Sequence, residues 1–181
     1  VAGNGQQALL ELACGMRAPR AGAALLRGQI VDKPRHQRLR AAGLARIPED
    51  RHREGVVGDL ALWHNAIIED LADPRFSRWG WLRKASALAY TRQLISDFDI
   101  RCAGPEQKTR LLSGGNMQKL IVGRGLAAQP SFIVASQPVR GLDEGAIADV
   151  HARLLAARER GAAVLLVTDD LDEALELSDR I

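Results

Sequence analysis

The chain has 181 residues, of which 46% are hydrophobic and 26% charged, so it is long enough for one globular domain with a buried core. No window approaches the roughly 18 uninterrupted apolar residues of a membrane-spanning helix, and no secretory signal is visible. Cys14 and Cys102 do not resemble a disulfide framework, and the lack of such a framework is typical of a cytosolic protein. The net charge of +3 is small and the Arg residues are scattered, which gives nucleic-acid binding little support.

A glycine-rich turn opens the chain and leads into a predicted helix. Backbone N–H groups in such a turn, here those of Gly3, Asn4 and Gly5, can hold phosphate groups. In the phosphate-binding pattern Gly-x-x-Gly-x-Gly-Lys-Ser/Thr the Lys neutralises charge and the Ser/Thr holds Mg²⁺, but Gln6 and Gln7 stand at these positions. Taken alone, this half-motif more often indicates a plain glycine-rich turn. Because the chain begins inside the pattern, we expect it to be a fragment of a longer protein.

Three elements are predicted after this helix. A hairpin-like segment at 23–30 turns at Gly28, and a polar surface helix follows over 33–42. A strand over 44–47 then leads to the charged run Pro-Glu-Asp-Arg, which contains Glu49. Considered without its neighbours, this run would be a solvated loop.

The segment 59–109 contains no predicted strand. Two groups of apolar residues recur at helical spacing: Trp63, Ile67, Ile68 and Leu71, and then Leu88, Leu94, Ile95 and Phe98. Residues 76–81 form a predicted loop between the two helices. Trp79 and Trp81 in this loop either contact another subunit or pack back on their own helices.

The run Leu112-Ser-Gly-Gly-Asn-Met-Gln-Lys119 begins an amphipathic helix that is predicted to continue to Ala128. Ser113 is placed as the N-cap, with Gly114, Gly115 and Asn116 in the first turn. Free N–H groups and the positive end of the helix dipole attract an anion, and the missing Cβ atoms of the two glycines allow close approach. The sequence therefore predicts a phosphate-binding helix start.

Two strands of a buried parallel sheet are predicted at 131–135 and 163–167, separated by a helix. Ser136 and Gln137 follow the first strand, and Asp169 follows the second. Because ligands gather at the carboxyl edge of a parallel sheet, Asp169 is expected to lie at a binding site. Asp170 and the acidic residues after it favour the N-terminus of the next helix.

The run that starts at Leu112 resembles the signature motif of ABC-type ATPases, the element that reaches across a dimer to the γ-phosphate of ATP held by the partner. The order of motifs extends this resemblance over nearly the whole chain. Glu49 stands where the family has the Q-loop Gln, and Gly141-Leu142-Asp143 resembles the D-loop, which links the two nucleotide sites. The resemblance implies an α/β, P-loop NTPase-like core with a parallel sheet flanked by helices and an inserted helical subdomain. The Pro-Glu-Asp-Arg run is most similar to the second ATPase half of tandem sugar and nucleoside importers.

Five positions depart from the pattern of a hydrolysing family member: Gln6, Gln7, Ser136, Gln137 and Asp169. Active members have Asp-Glu at positions 136 and 137, where the Asp secures Mg²⁺ and the Glu polarises the attacking water. Ser136 has no charge for Mg²⁺, and Gln137 cannot accept a proton, which removes a contribution of about 10²–10⁴-fold in rate. A carboxylate at Asp169 would repel a triphosphate. The sequence therefore predicts that the chain's own nucleotide site is deficient in hydrolysis, whereas its signature motif is intact.

The resemblance implies three parts: the first part of the α/β core over 1–58, a helical subdomain ending in the signature helix over 59–128, and the second part of the core over 129–181. In this family two such domains pair head to tail, so we expect this one to complete the ATP–Mg²⁺ site of a second ABC domain. In its own site we expect it to bind ATP weakly or not at all and to provide no metal ligand. The further partners are transmembrane permease subunits at the cytoplasmic face of the cell membrane, and no nucleic acid is expected. Hydrolysis is expected only from the tandem pair.

Two alternatives remain. In the first, the domain is a nucleotide-free structural module that couples a partner ATPase to the permease. In the second, it is a soluble ABC protein of translation or repair. The small net charge and the missing catalytic groups speak against the second of these.

Overall fold

The computed structural model describes residues 4–23, 25–26, 28–30 and 36–181. Its centre is a three-stranded parallel sheet in the order β3-β6-β7, formed by Leu44–Ile47, Phe132–Ser136 and Ala163–Val167. The middle strand β6 is buried because both of its edges are paired and its side chains are mostly apolar. All three strands were predicted from the sequence, and only β6 is displaced, by one residue.

Seven helices are described around this sheet. They are α1 (Gln6–Ala13), α2 (His36–Ala41), α3 (Leu62–Ile67), α4 (Lys84–Asp97), α5 (Gly114–Leu126), α6 (Glu144–Glu159) and α7 (Leu171–Leu177). The predicted hairpin is present as β1 (Leu25–Leu26) and β2 (Gln29–Ile30), and the start of the helix predicted over 33–42 lies outside the described residues. A short 3₁₀ turn, Thr109–Leu111, precedes α5. Within these described ranges, no helix has both the length and the apolar composition needed to cross a bilayer.

The helical segment differs from the prediction in three places. Residues 76–81 are not a loop, because β4 (Ser77–Arg78) and β5 (Trp81–Leu82) pair as a hairpin. Its two turn residues, Trp79 and Gly80, both have positive φ, of 54° and 83°, as the tight turns of hairpins require. Because Trp is uncommon at a position with positive φ, the turn was not predicted from the sequence. Helix α3 ends at Ile67, so Leu71 is exposed beyond it, and α5 ends at Leu126 rather than at 128.

A π-helical turn over Arg51–Gly55 follows β3 and was not predicted. The Asp50 carboxylate accepts the N–H groups of His52 and Arg53 and so caps the turn. The wide turn is closed by the bond from the Val56 N–H to the Arg51 carbonyl oxygen, at 3.1 Å. Gly55 packs against α5, where any Cβ would collide with the side chain of Ile121. The sheet is therefore joined to α5 by a segment whose backbone is held at both ends.

A buried ionic cluster joins α2, α5 and the segment after α3. The guanidinium of Arg124 binds Glu69 at 2.7 Å and the backbone carbonyl oxygens of α3 and of the π turn at 3.0 and 2.9 Å. Arg40 binds both oxygens of Asp70, at 3.0 and 2.8 Å, and donates to the carbonyl oxygen of Arg124 at 3.1 Å. Each buried guanidinium thus has a carboxylate partner, as burial of charge requires.

Cys14, at the C-terminal end of α1, is buried, and burial raises the pKa of its thiol from 9.0 to about 11. Since the thiolate is the nucleophile and only about one Cys14 in a thousand is ionised near pH 8, iodoacetamide should alkylate the partly exposed Cys102 and leave Cys14 unmodified. Because the folded pKa lies above the unfolded value, this burial stabilises the fold fully below about pH 9 and loses that effect as the pH rises towards 11.

Mass spectrometry of the intact protein after a short alkylation pulse checks this prediction. The Cys102→Ser variant is the control, and it should take up no label when native and one label after denaturation. Labelling of Cys14 in the native Cys102→Ser variant would contradict the prediction.

Candidate functional site

A cleft of about 510 Å³ lies at the carboxyl ends of the three parallel strands, beside the N-terminus of α1; we call it the strand-end cleft. Its lining includes all five positions at which the chain departs from a hydrolysing site: Gln6, Gln7, Ser136, Gln137 and Asp169. Gly5 and Glu49 line it as well. The structure therefore brings together residues that are up to 164 positions apart, as the position of ligand sites in α/β sheets predicts.

At the N-terminus of α1, both glutamines are engaged in local contacts. Gly5 has a φ of 94°, which turns the chain into the helix. The Gln6 side-chain oxygen accepts the Asn4 N–H at 2.9 Å, and the Gln7 amide donates to Glu11 at 3.1 Å. One N–H of the turn that was predicted to hold phosphate is thus occupied by a side chain of the same turn. Gly3, the third residue of the predicted set, lies outside the described residues.

The floor of the strand-end cleft is formed by the end of β6. Ser136 is buried there, and Gln137 has a φ of 47°, which is unusual for a residue other than glycine. Its N–H donates to the Val167 carbonyl oxygen at 2.7 Å, which fixes this backbone against β7. Asp169 is exposed at the rim, while its neighbour Asp170 caps α7 by accepting the N–H of Asp172 at 2.9 Å. The expected helix-start role of Asp170 is confirmed.

An ion pair that was not predicted crosses the mouth of the strand-end cleft, between Glu49 and the guanidinium of Arg140. Arg17, in the turn after α1, also lines the cleft and pairs with Glu11 at 3.5 Å. Neither arginine was given a role in the sequence analysis. The pair between Glu49 and Arg140 could not be expected there, because the two residues are 91 positions apart. Each cation at the cleft is therefore already beside a carboxylate.

A second group of predicted residues lies at the N-terminus of α5. Ser113 caps this helix: its hydroxyl oxygen accepts the Asn116 N–H at 3.4 Å and the Asn116 side-chain amide at 2.8 Å. The Asn116 side-chain oxygen in turn accepts the Arg101 N–H at 2.7 Å, which fixes the orientation of that amide. A hydroxyl has two acceptor positions and one proton, so both acceptor positions of Ser113 are used and its proton remains available to a ligand. Ser113 is exposed, and Gly114 and Gly115 are only partly buried.

Asp143 joins this second group through the start of α6. One carboxylate oxygen caps α6 by accepting the Ala146 N–H at 3.0 Å, and the other lies 3.9 Å from the position that a Cβ on Gly115 would occupy. None of Ser113, Gly114, Gly115, Asn116 and Asp143 lines the strand-end cleft. The predicted residues therefore form two separate groups, one at the sheet edge and one at the start of α5, and we call the second group the signature face.

Proteins with curated names resemble the whole chain, whereas no family model matches it. The chain is 38% identical over 181 residues to the guanosine import ATP-binding protein NupO of Bacillus subtilis (strain 168), with all of the chain and 36% of NupO covered. It is 37% identical to the nucleoside import ATP-binding protein NupA of Lactococcus lactis subsp. cremoris (99% of the chain, 35% of NupA) and 32% identical to the ribose import ATP-binding protein RbsA 1 of Rhizobium meliloti (99% and 35%). The chain thus spans about a third of the length of these relatives.

Solved structures with the same fold are ATP-binding cassettes. The dimeric structure of MJ0796, a bacterial ABC transporter cassette, has a TM-score of 0.76 at 18% identity and covers 97% of the chain and 74% of its own. A nucleotide-free ATP-binding cassette from an ABC transporter has a TM-score of 0.75 at 20% identity and covers 99% and 72%. At these identities the likeness establishes the fold, and it confirms the α/β core predicted from the sequence.

Proposed function

The chain belongs to the ABC transporter family of ATP-binding domains, and from this premise we propose that it is the nucleotide-binding domain of a nucleoside or sugar importer that completes the ATP site of a second cassette. The signature face carries this proposal. Its exposed Ser113 hydroxyl has both acceptor positions filled and its proton free, and it stands at the N-terminus of a 13-residue helix. The Ser113 hydroxyl can therefore donate to an anion but cannot accept a further hydrogen bond, which suits the phosphate of a bound nucleotide.

The strand-end cleft supports the second half of the proposal, which is that this chain does not hydrolyse ATP in its own site. The groups at its floor and at the start of α1 are neutral amides and a hydroxyl, so charge that develops on a transferred phosphoryl group meets no full positive charge from Gln6 or Gln7. Gln137 cannot take a proton from water. The turn around Gly5 retains N–H groups that can hold phosphate weakly. ATP with Mg²⁺ is therefore assigned to the site that the second cassette provides.

The assembly that we infer contains a second ABC domain, head to tail and in the same polypeptide, together with permease subunits at the cytoplasmic face of the membrane. The division at 1–58, 59–128 and 129–181 belongs to this proposal. Trp79 and Trp81 project from the β4–β5 hairpin and are 90% and 81% exposed. Large exposed aromatic side chains favour a binding surface, and we assign this hairpin to the permease contact. ATP turnover by the assembled importer, with the signature face altered, is the test of the whole proposal.

One observation favours a second candidate, in which the domain couples its partners without binding nucleotide. The strand-end cleft is occupied by contacts of its own: Gln6 with Asn4, and Glu49 with Arg140. These contacts compete with a nucleotide for the Asn4 N–H and the Arg140 guanidinium. Direct binding measurements on the strand-end cleft separate the two candidates.

The Gln6→Lys variant is expected to bind ATP about tenfold more tightly than the native protein, which corresponds to about 1.4 kcal/mol. Lysine supplies the charge-assisted hydrogen bond to phosphate that glutamine lacks, and its introduction releases the Asn4 N–H from the Gln6 side chain. Titration calorimetry with ATP and Mg²⁺ measures the two dissociation constants.

The Gln6→Met variant is the control, because it also releases the Asn4 N–H but adds no charge. If it matched Gln6→Lys, the gain would come from the released N–H alone. If no variant showed saturable binding, the strand-end cleft would not be a nucleotide site, and the nucleotide-free coupling module would be the better description.

A further inference from the structure

Arg51, the first residue of the π turn, joins three segments that are far apart in the chain. Its Nη1 donates to the Arg140 carbonyl oxygen at 2.7 Å, and its Nη2 lies 3.5 Å from the Gly141 carbonyl oxygen. The same Nη2 would be 3.1 Å from a Cβ on Gly114, so the guanidinium lies against the first turn of α5. Arg51 therefore stands between the carbonyl oxygens of Arg140 and Gly141 and the first turn of α5.

The segment from Pro138 to Asp143 has turn hydrogen bonds of its own, from the Arg140 N–H at 3.2 Å and from the Leu142 N–H at 3.1 Å, and is also fixed by side chains near its ends. At one end the buried Gln118 of α5 donates to the Pro138 carbonyl oxygen at 2.6 Å, and at the other end Asp143 caps α6. Between these points the chain turns through Gly141, with a φ of 65°, and the two carbonyl oxygens there face Arg51. The planar fork of a guanidinium can serve two neighbouring acceptors, which a single ammonium group cannot do equally well.

Local stability does not explain the arrangement of Arg51. Among the described residues, its Nε is buried without a hydrogen-bond partner, which is a cost to the folded state. A π turn is itself an uncommon conformation that occurs frequently at functional sites. The turn presents Arg51 to the carbonyl oxygens of 140 and 141 at the expense of one of its own donors.

We propose that Arg51 is a positioning residue: it holds the segment 140–143 against the first turn of α5 and so sets the spacing between Asp143 and Gly115 on the signature face. The contact of Arg51 with the segment 140–143 lies within this chain and does not depend on the proposed function. Its consequence for ATP turnover rests on the proposed function, because Gly115 and Asp143 matter to turnover only if the signature face completes the site of a second cassette.

Hydrogen–deuterium exchange of the intact protein tests the contact. In Arg51→Ala, amide exchange of peptides from 138–146 should rise about tenfold, while peptides of β3 and β6 stay as in the native protein. Arg51→Lys should restore part of the protection, since one donor can still reach the Arg140 carbonyl oxygen. Arg53→Ala is the matched control: Arg53 lies in the same turn, and its exposed side chain makes no hydrogen bond among the residues described. Unchanged exchange in Arg51→Ala would overturn the proposal.

Gly114→Ala provides a second route that leaves Arg51 in place. Its Cβ would lie 3.1 Å from the Arg51 Nη2 and would push the guanidinium by a few tenths of an ångström, so exchange over 138–146 should rise in the native background. In the Arg51→Ala background the same change should add nothing, because no guanidinium is left to displace. Equal effects of Gly114→Ala in both backgrounds would overturn the proposal even if Arg51→Ala alone folded poorly.

ATP turnover by the assembled importer gives the functional result. Arg51→Ala should lower kcat about tenfold with KM for ATP nearly unchanged, because a misplaced signature face weakens interactions made in the transition state. Arg53→Ala should turn over as the native protein does. If exchange rises while kcat is unchanged, the positioning contact is real and the proposed role of the signature face is wrong. The two failures are thus distinguishable.

Discussion

Replacing Gly115 by Asp is expected to lower ATP turnover by the assembled importer at least about 100-fold. Enzymes lose activity on this scale when a hydrogen-bond donor that stabilises the charge of the transition state is removed. A Cβ at Gly115 would meet only the Ala146 Cβ at 3.7 Å and an Asp143 carboxylate oxygen at 3.9 Å, which are ordinary contacts, so the variant should fold. Its carboxylate would satisfy the free N–H groups of α5 and place a second negative charge beside Asp143. A γ-phosphate from the second cassette would then be repelled from the signature face.

Two other variants show whether charge at the signature face is responsible. Gly115→Asn adds a side chain of nearly the same size without the charge and should retain more turnover than Gly115→Asp. Gln137→Ala should stay within about twofold of the native rate, because Gln137 has no proton-accepting role to lose. Steady-state ATPase assays compare all three. A loss of turnover in Gln137→Ala instead would mean that the strand-end cleft hydrolyses ATP, contrary to the proposed function.

Replacing Arg124 by Ala is expected to reduce the free energy of unfolding by about 3–5 kcal/mol, the cost of breaking a buried ion pair by removing one partner. The Arg124 side chain is only 2% exposed, and burial lowers its pKa while Glu69 opposes that shift. Without Arg124, Glu69 loses its 2.7 Å partner, and carbonyl oxygens of α3 and of the π turn lose their donor. Urea titration, with an unchanged slope, measures the loss.

The exposed pair of Arg17 and Glu11 provides the comparison. Its side chains are 49% and 33% exposed, so Arg17→Ala should change the free energy of unfolding by less than about 1 kcal/mol. Similar effects of Arg17→Ala and Arg124→Ala would show that water or neighbouring groups replace the partner of Glu69. The buried cluster would then contribute little to stability.

The sequence alone was sufficient for features that depend on neighbours in the chain. Apolar runs between turn residues placed β3 and β7 to the residue, and the Ser-Gly-Gly run placed the start of α5, because N-capping needs only a side chain and an N–H three residues apart. The position of Asp169 at the ligand-binding edge also followed from a general rule of parallel sheets, whereas Gln6 and Ser136 were placed there by the family resemblance.

Features that depend on distant partners were not predictable. The Arg51 guanidinium contacts carbonyl oxygens 89 and 90 positions away, and nothing in the local pattern Pro-Glu-Asp-Arg indicates them. The pair of Glu49 and Arg140 has the same character. Arg124 looked like one more charged residue near the end of α5, yet it is among the most buried side chains described. In each case the long-range partner decides the structure, and one sequence does not reveal it.

The β4–β5 hairpin has an optical consequence. Of the three tryptophans, Trp79 and Trp81 are in water at its tip, whereas Trp63 is buried and stacked on His64 with ring centroids 3.6 Å apart. Indole emission shifts to shorter wavelength when the ring leaves water. The intrinsic fluorescence of this chain therefore reports mainly on the surroundings of the hairpin, and a partner that covers the hairpin would be detected without any added label.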